Sequence, residues 1–503
     1  MKKLDLQSLS NLLARRGIVI PSSSAYGELG GFYDYGPIGL RVRKRIEENW
    51  RSFFIDGMGN YEIETAIVGP QAVFEASGHL SKFNDPISVC KKCGNSHRAD
   101  KLLEEYFTRK KDLKAVDSLK SMSNSDFGAL LKEHGIKCEK CGEPLSDVES
   151  FNLMLGTKIG ASGKIQGYMR PETAQGIFLD FKDIFRIYGL KLPVGIGQVG
   201  KVYRNEISPR NMLLRMREFS QMELEYFFDP DDKELEINGE IINDSFKRET
   251  INFFSREDQK AGKGPYSPIT IGEGMETGMI PNALFGYLVY MEKMFVERLG
   301  FGKESIRFRQ ALEDELPHYS RGNIDLEANL GNGFEEIAGN AYRTDFDLGN
   351  HEKHSNKDFH VVNGDRKILP HVVELSFGWD RLFYCLMYDR LYHDEERGWD
   401  VLLLNMNTAP FDFAVFPLQK DDGLIAEAMK INKELIRMGY KTQYSASGSI
   451  GKRYAKADEI GINHAITVDY KTLEDGTVTV RNISDAKQER IGKADISKVH
   501  YRL

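Results

Sequence analysis

The 503-residue sequence holds only five cysteines, too few to staple a chain of this length with disulfides. It also lacks any uninterrupted apolar run near the ~20 residues that cross a bilayer. Its first residues, MKKLDLQSLSNLLARRG, carry charges on both sides of a short apolar stretch and no small-residue cleavage site. No membrane contact is expected, and the expected location is cytoplasmic. Basic charge is not in excess either, since 68 lysines and arginines face 75 acidic residues for a net charge of -7. That balance argues against indiscriminate adhesion to nucleic acid, although a local basic surface can still hold one chosen polyanion. Disorder is excluded by 41% hydrophobic and 11% aromatic residues, and the length suits roughly three domains of about 150 residues.

Four of the five cysteines form two C-x-x-C pairs, Cys90/Cys93 and Cys138/Cys141, each followed by glycine. This is the spacing of a tetrahedral four-cysteine site, and four thiolates leave no open position for a substrate, so a structural Zn2+ is expected. The pairs enclose charged, helix-friendly sequence, and 88–150 reads as a zinc-ribbon-like insertion. Cys385 lies in an apolar run and is expected in a core. Upstream, Gly36-Pro37 opens a helix with apolar residues at Ile46, Trp50, Phe53 and Phe54, proline being tolerated in a first helical turn. From 151 to 226, short apolar runs between glycines and prolines predict strands linked by turns in an antiparallel sheet. Residues 229–276 are polar and charge-mixed, and 229–300 is expected to be a partly helical, solvated insertion. Beyond 405 the pattern changes to a small α/β domain over 406–503. Its strands lie in FDFAVFPL, KTQYSA, HAITVDY and TVTVRNI, a helix runs from about Leu424 to Gly439, and Asp475-Gly476 turns between the last two strands.

Gly195-Ile-Gly-Gln-Val-Gly200-Lys201 matches G-x-G-x-x-G and the start of a phosphate loop. Neither version suits its context. A dinucleotide fingerprint opens a helix, whereas Val-Tyr-Arg follows here, and a phosphate loop needs Ser or Thr where Val202 stands. A structural turn leading into a strand is expected instead. The segment that follows carries more chemistry. Val202, Arg204 and Glu206 alternate at period two, as do Phe219, Gln221 and Glu223, so each set shares one face of a strand. Arg210, Arg215 and Arg217 lie between them, and a hairpin would focus guanidinium groups above carboxylates. Guanidinium suits phosphate because its planar fork donates two parallel hydrogen bonds and stays charged.

These residues resemble a known family. Val202 to Glu223 looks like motif 2 of the class II aminoacyl-tRNA synthetases, GFYDYGPIGLRVRKRIEENW like motif 1, and VELSFGWDRL like motif 3. ASGHLSKF, RPETAQGIF, IRFRQ, AYRTDFDL and SGSIGKRYAKADEIG narrow the resemblance to the single-chain, dimeric glycyl-tRNA synthetases, from residue 26 to about 463. The resemblance implies an α+β catalytic domain on a mixed, mainly antiparallel sheet over 1–87 and 151–405, with the C-terminal domain binding an anticodon. It implies a homodimer that uses ATP with Mg2+, glycine and tRNA(Gly). Catalysis would fall to Arg204, Arg381, Glu206 and Arg343. ATP would meet Arg204, Asn205, Glu206, Leu214, Arg215, Met216, Arg217, Glu218, Phe219, Glu336, Ile337, Gly378, Trp379, Asp380 and Arg381. Glycine would meet Arg98, Glu172, Phe219, Gln221, Glu223, Glu374 and Ser376, and tRNA would meet Lys452, Arg453 and Lys456. Trp379 stands where the family usually has a small aliphatic residue. Three carboxylates converging on one small cation would repel one another when empty and raise at least one pKa. Two rivals remain at this point. One is another class II ligase, against which the Glu172, Glu223 and Glu374 set speaks; the other is a non-catalytic paralogue, which would have lost the phosphate-binding arginines.

Overall fold

The computed structural model describes residues 1–499 except 28, 120, 121, 208, 210, 233, 235 and 239, so Arg210 lies outside the described residues. Its largest unit is built on nine strands: β1 (Tyr61–Glu62), β2 (Val194–Tyr203), β3 (Glu218–Phe228), β4 (Thr250–Phe254), β5 (Ser267–Thr270), β6 (Ile306–Gln310), β7 (Asn323–Asn329), β8 (Phe334–Thr344) and β9 (His371–Gly378). Their order is β5-β4-β6-β7-β8-β9-β3-β2-β1, antiparallel except for the pairs β4/β6 and β2/β1. This is the mixed, mainly antiparallel sheet of the class II synthetase fold.

Helices α1 (Pro37–Trp50), α2 (Ala174–Tyr188), α3 (Ala283–Leu299), α4 (Phe346–Ser355) and α5 (Trp379–Asp389) cover it unequally. One sheet face presents Met222, Leu224, Tyr226, Leu375 and Phe377 to Ile46 and Trp50 of α1 and to Phe285, Leu288 and Phe295 of α3, in one continuous core. Pro37 occupies the first turn of α1, where its missing N–H has no intrahelical partner to lose. On the opposite face only one end is covered. Phe227 and Val372 there meet Ile177, Phe178 and Phe181 of α2 and Leu348 of α4. The rest of that face is left open, and the cleft described below occupies it.

Several expectations are corrected. Residues 174–188 form a fifteen-residue helix, not strands and turns; Ala174, Ile177, Phe178, Phe181 and Phe185 line its buried stripe. The 229–300 segment is no appendage from Thr250 onward, because β4 and β5 extend the central sheet and α3 fills its core. Residues 195–201 lie wholly within β2 and make no turn. Their glycines serve close packing: a Cβ on Gly197 would stand 2.8 Å from Ile55 and 2.9 Å from Trp50, and one on Gly200 would strike the Arg170 guanidinium.

Residues 84–152 form a smaller unit, a three-stranded sheet (Asn84–Val89, Ser96–Arg98, Glu149–Asn152) with helices packed through Leu103, Phe107, Phe127 and Leu131. The C-terminal unit has five strands in the order Thr442–Tyr444, Phe413–Pro417, His464–Val468, Thr477–Asn482, Gln488–Gly492, the first three parallel. The expected hairpin at Asp475-Gly476 is absent. Tyr470–Asp475 is a short helix that Gly476 closes at φ 72°, and the strand after Asn482 was not foreseen. This unit is bolted to the larger one through Asp458, which accepts from Arg481 at 2.7 and 2.8 Å, Arg397 at 3.2 Å and Trp399 at 3.0 Å. Among the described residues, no helix is long and apolar enough to cross a membrane.

Candidate active site

Alternation along β3 turns Phe219, Gln221, Glu223 and Glu225 toward the open face while Met222, Leu224 and Tyr226 enter the core. Register then assembles rows across four strands. Glu223 lies beside Ser376 of β9, Gly339 of β8 and Asp325 of β7; Glu225 lies beside Glu374, Ala341 and Asn323. Gly339 and Ala341 have almost no side chain, so a trough runs over β8 between polar walls. It is part of a cleft of about 260 Å³ lined by Glu172, Arg204, Glu206, Arg215, Met216, Phe219, Gln221, Tyr319, Asn323, Asp325, Glu336, Glu374, Ser376, Gly378, Asp380 and Arg381, with Leu213 and Leu214.

At one end stand the arginines. Arg204 donates from Nε to Pro171 O at 3.3 Å and lies 5.2 Å over the Phe219 ring. Arg215 is aimed by Glu206, whose Oε2 accepts from its Nε at 2.7 Å. Arg381 donates to Glu336 O at 2.9 Å and faces the Glu335 and Glu336 carboxylates at 3.8 and 3.5 Å. Arg217 is spent on scaffold, bonding Glu206 O and Gly30 O, and Asn205 donates its N–H to Leu153 O. Glu218 points away and pairs with Lys201 at 3.1 Å. Asp380 is buried, accepting from Ser220 N at 2.6 Å and Tyr35 Oη at 2.5 Å, and Trp379 packs under Arg43 at 3.7 Å. The motif 1 helix, through Arg43, thereby fixes the start of the helix that carries Arg381. Ile337 is buried.

At the other end the carboxylates collect around one cation. Arg343, 1% exposed, reaches Asp347 at 2.8 Å, Glu374 at 2.7 Å and Glu172 at 3.3 Å, and the Tyr319 ring covers its guanidinium at 4.1 Å. It sits beneath the cleft wall, so its work is to hold carboxylates in place. Glu223 is fully buried and accepts from Thr173 N at 2.7 Å, from Thr173 Oγ1 and from Ser376 Oγ at 2.8 Å. Burial, then repulsion from Glu172, pushes its pKa up. Glu374 rises to about 8 even though it touches Arg343, because burial outweighs that attraction and Glu223 and Glu172 add to it. Glu172 is held well below the ordinary range: burial alone would raise it, but Arg343 and His79 prevail. The expected mutual repulsion is therefore present, shared over a set that also includes Glu225. Glu225, Asp347, Tyr319, Asn323 and Asp325 escaped sequence reasoning. Arg98 stands outside the cleft lining, paired with Asp85 at 3.0 Å and Asp100 at 2.5 Å, although its charge is felt at Glu206.

The four paired cysteines bring their sulfurs within 4.8 Å of one another, Cys90 to Cys141 at 3.4 Å and Cys93 to Cys138 at 3.7 Å. Ligands about 2.3 Å from a tetrahedral centre stand roughly 3.8 Å apart, so the set fits one zinc ion. The backbone N–H of Cys93 draws the Cys90 thiol down to about 6, toward the ligating thiolate. Cys385 is buried in the main core, as expected. In the C-terminal unit Lys452 and Lys456 are exposed on helix Ile450–Glu459. Arg453 is not available to a phosphate: it is 4% exposed and its guanidinium donates to the carbonyls of Pro417, Leu418 and Ser445. Its side chain turns inward instead, where those three carbonyls take its donors and the Phe416 ring lies 5.6 Å from its guanidinium.

Residues 412–500 match the family model described as an anticodon binding domain. Along its length the chain is 36% identical to the glycine-tRNA ligase of Methanothrix thermoacetophila, covering 96% of this chain and 94% of that protein. It is 34% identical to the glycine-tRNA ligase of Methanothermobacter thermautotrophicus, with 95% of each covered. The enzyme of the same name from Methanocaldococcus jannaschii is 36% identical over 98% of this chain and 97% of its own.

Proposed function

The chain belongs to the glycine-tRNA ligases, and from that membership we propose how its residues divide the work. The reaction has two steps: a carboxylate oxygen of glycine attacks the α-phosphorus of ATP and pyrophosphate leaves, then a terminal hydroxyl of tRNA(Gly) attacks the glycyl carbonyl and AMP leaves. Arg204 takes the α-phosphate and stabilises the charge that develops there. Arg215, oriented by Glu206, and Arg381 hold the β- and γ-phosphates, and Phe219 stacks on adenine. The Mg2+ that accompanies ATP would neutralise phosphate charge, and the Glu336 carboxylate with the Ile337 backbone would help hold it or the nucleotide. Asn205, Leu214, Met216, Arg217, Glu218, Gly378, Trp379 and Asp380 shape the nucleotide groove or brace it from behind. No covalent enzyme intermediate is required; positioning and electrostatics suffice.

Glu172, Glu374, Ser376 and Gln221 grip the substrate ammonium, with Glu223 beneath them, while the positive charge of Arg98, outside the lining, suits the glycine carboxylate. Arg343 is a positioning residue in this scheme. Larger amino acids are excluded by clash, and nothing smaller than glycine competes, so no editing site is needed. Cys90, Cys93, Cys138 and Cys141 would hold a structural Zn2+, which closes the 88–150 unit. Lys452 and Lys456 meet tRNA backbone phosphate in the 406–503 domain. The protein works as a homodimer; the exposed apolar residues Tyr26, Leu29 and Leu40 beside and on α1 favour a partner there.

The observation that carries this proposal is one cleft with three arginines at one end and an anionic pocket built around a buried arginine at the other. Amino-acid-dependent pyrophosphate exchange with all twenty amino acids tests it. Exchange with glycine alone is expected; exchange driven by another amino acid, or by none, overturns the substrate assignment.

A further inference from the structure

We propose that Asn323 is a further glycine-contacting residue, whose side-chain oxygen accepts a hydrogen bond from the substrate ammonium. The inference rests on the assignment of glycine as substrate. Asn323 opens β7 and lies in register with Ala341, which in turn lies beside Glu374. Because Ala341 ends at Cβ, the space between Asn323 and Glu374 stays open, and both residues line the cleft there.

The Oδ1 of Asn323 is shielded from solvent and has no hydrogen-bond partner among the described residues. A buried carbonyl oxygen left unsatisfied costs about 1–3 kcal/mol, so folded proteins seldom leave one without a reason. Gln221, three strands away and further along the cleft, has a similar idle acceptor: its Nε2 donates to Ser376 Oγ at 3.2 Å while its Oε1 has no partner among the described residues. The donors around them are already engaged, Arg343 by three carboxylates and Ser376 by Glu223. An idle acceptor beside the open space over Ala341 calls for a ligand with N–H donors, and a primary ammonium offers three. An amide oxygen also suits this place better than a further carboxylate would. The pocket already confines several acidic groups, and one more negative charge would raise their pKa values again, whereas an amide adds an acceptor without adding charge.

Pyrophosphate-exchange kinetics of the full chain, with glycine and ATP varied separately, distinguish the possibilities. Asn323→Ala is expected to raise KM for glycine on the order of 10- to 100-fold, the weight of a hydrogen bond to a charged group, while KM for ATP and kcat move by less than about threefold. Asn323→Asp keeps an acceptor in the same position but adds a charge that raises the neighbouring carboxyl pKa values, so it is expected to recover part of the glycine KM, more at pH 8.5 than at pH 7. An unchanged glycine KM in Asn323→Ala overturns the inference. So does a parallel rise in both KM values with a lower urea midpoint, or an Asn323→Asp variant as impaired as the alanine one even at pH 8.5. Absence of glycine-dependent exchange in the unaltered protein would instead overturn the substrate assignment, and this inference with it.

Discussion

Glu225 lies on the open face of β3 with no solvent exposure, and neither oxygen of its carboxyl group has a hydrogen-bond partner among the described residues. Burial, then the neighbouring Glu374, pushes its pKa well above the ordinary value of 4.5. Its proton is therefore held more tightly in the folded chain than in the unfolded one. A carboxyl whose folded pKa is raised leaves stability unaffected below the unfolded pKa and lowers it as pH climbs toward the folded value. Each pH unit in that window costs about 1.4 kcal/mol. Glu225→Gln keeps the shape, stays neutral in both states and removes this cost. The variant is expected to be more stable than the parent at pH 7, the gain growing by up to about 1.4 kcal/mol per pH unit above 4.5 and shrinking toward zero near pH 4.5. Urea unfolding of both proteins at several pH values between 4.5 and 8 measures it. A variant no more stable than the parent at pH 7, or a difference that does not vary with pH, would refute the reasoning.

Three further outcomes follow from the same geometry. The empty pocket protonates Glu374 below about pH 8, and an ammonium binds well only when that proton has left, so KM for glycine should fall several-fold from pH 6.5 to 8.5 and then level off; a flat profile in exchange kinetics would contradict this. Gly197→Ala places a Cβ within 2.9 Å of Trp50 and Ile55, both of them buried, and overpacking of that kind should cost about 1–3 kcal/mol in urea unfolding. The four-cysteine cluster should retain close to one zinc per chain through purification, and Cys138→Ser should lose it; elemental analysis finding far less than one equivalent in the unaltered protein rejects the site.

Residues from one stretch of chain announced themselves in sequence, and those brought together by pairing did not. The alternation of Phe219, Gln221 and Glu223 was readable because both the period and the face belong to β3 alone. Asn323 and Asp325 of β7 enter the cleft only through the register of β7 on β8 and of β8 on β9, and no local pattern encodes that register. Helix α2 was overlooked although its apolar spacing is helical, because the glycines and prolines around it suggested turns. The strands β4 and β5 were hidden by polar surroundings: Thr250–Phe254 has buried Ile251 and Phe253 but lies among exposed charged residues. Asp475-Gly476 misled for the converse reason, since a glycine at positive φ closes a helix as readily as it turns a hairpin.

Arg343 shows why an anionic pocket of this kind needs a large apolar scaffold behind it. Glu172, Glu223, Glu225, Glu374 and Asp347 are all buried, and a single guanidinium meets three of them. Burying ion pairs is at best close to neutral, and removing one partner typically costs about 3–5 kcal/mol, so the pocket is a net load on the fold. What offsets it lies on the opposite face of the same strands, where Leu224, Tyr226, Leu375 and Phe377 pack against α1 and α3. Period two makes the two functions inseparable: each residue given to the pocket on β3 or β9 is flanked by one given to the core. Glu223 lies between Met222 and Leu224, and Ser376 between Leu375 and Phe377, so the side chains proposed to recognise glycine are held by their own neighbours in sequence.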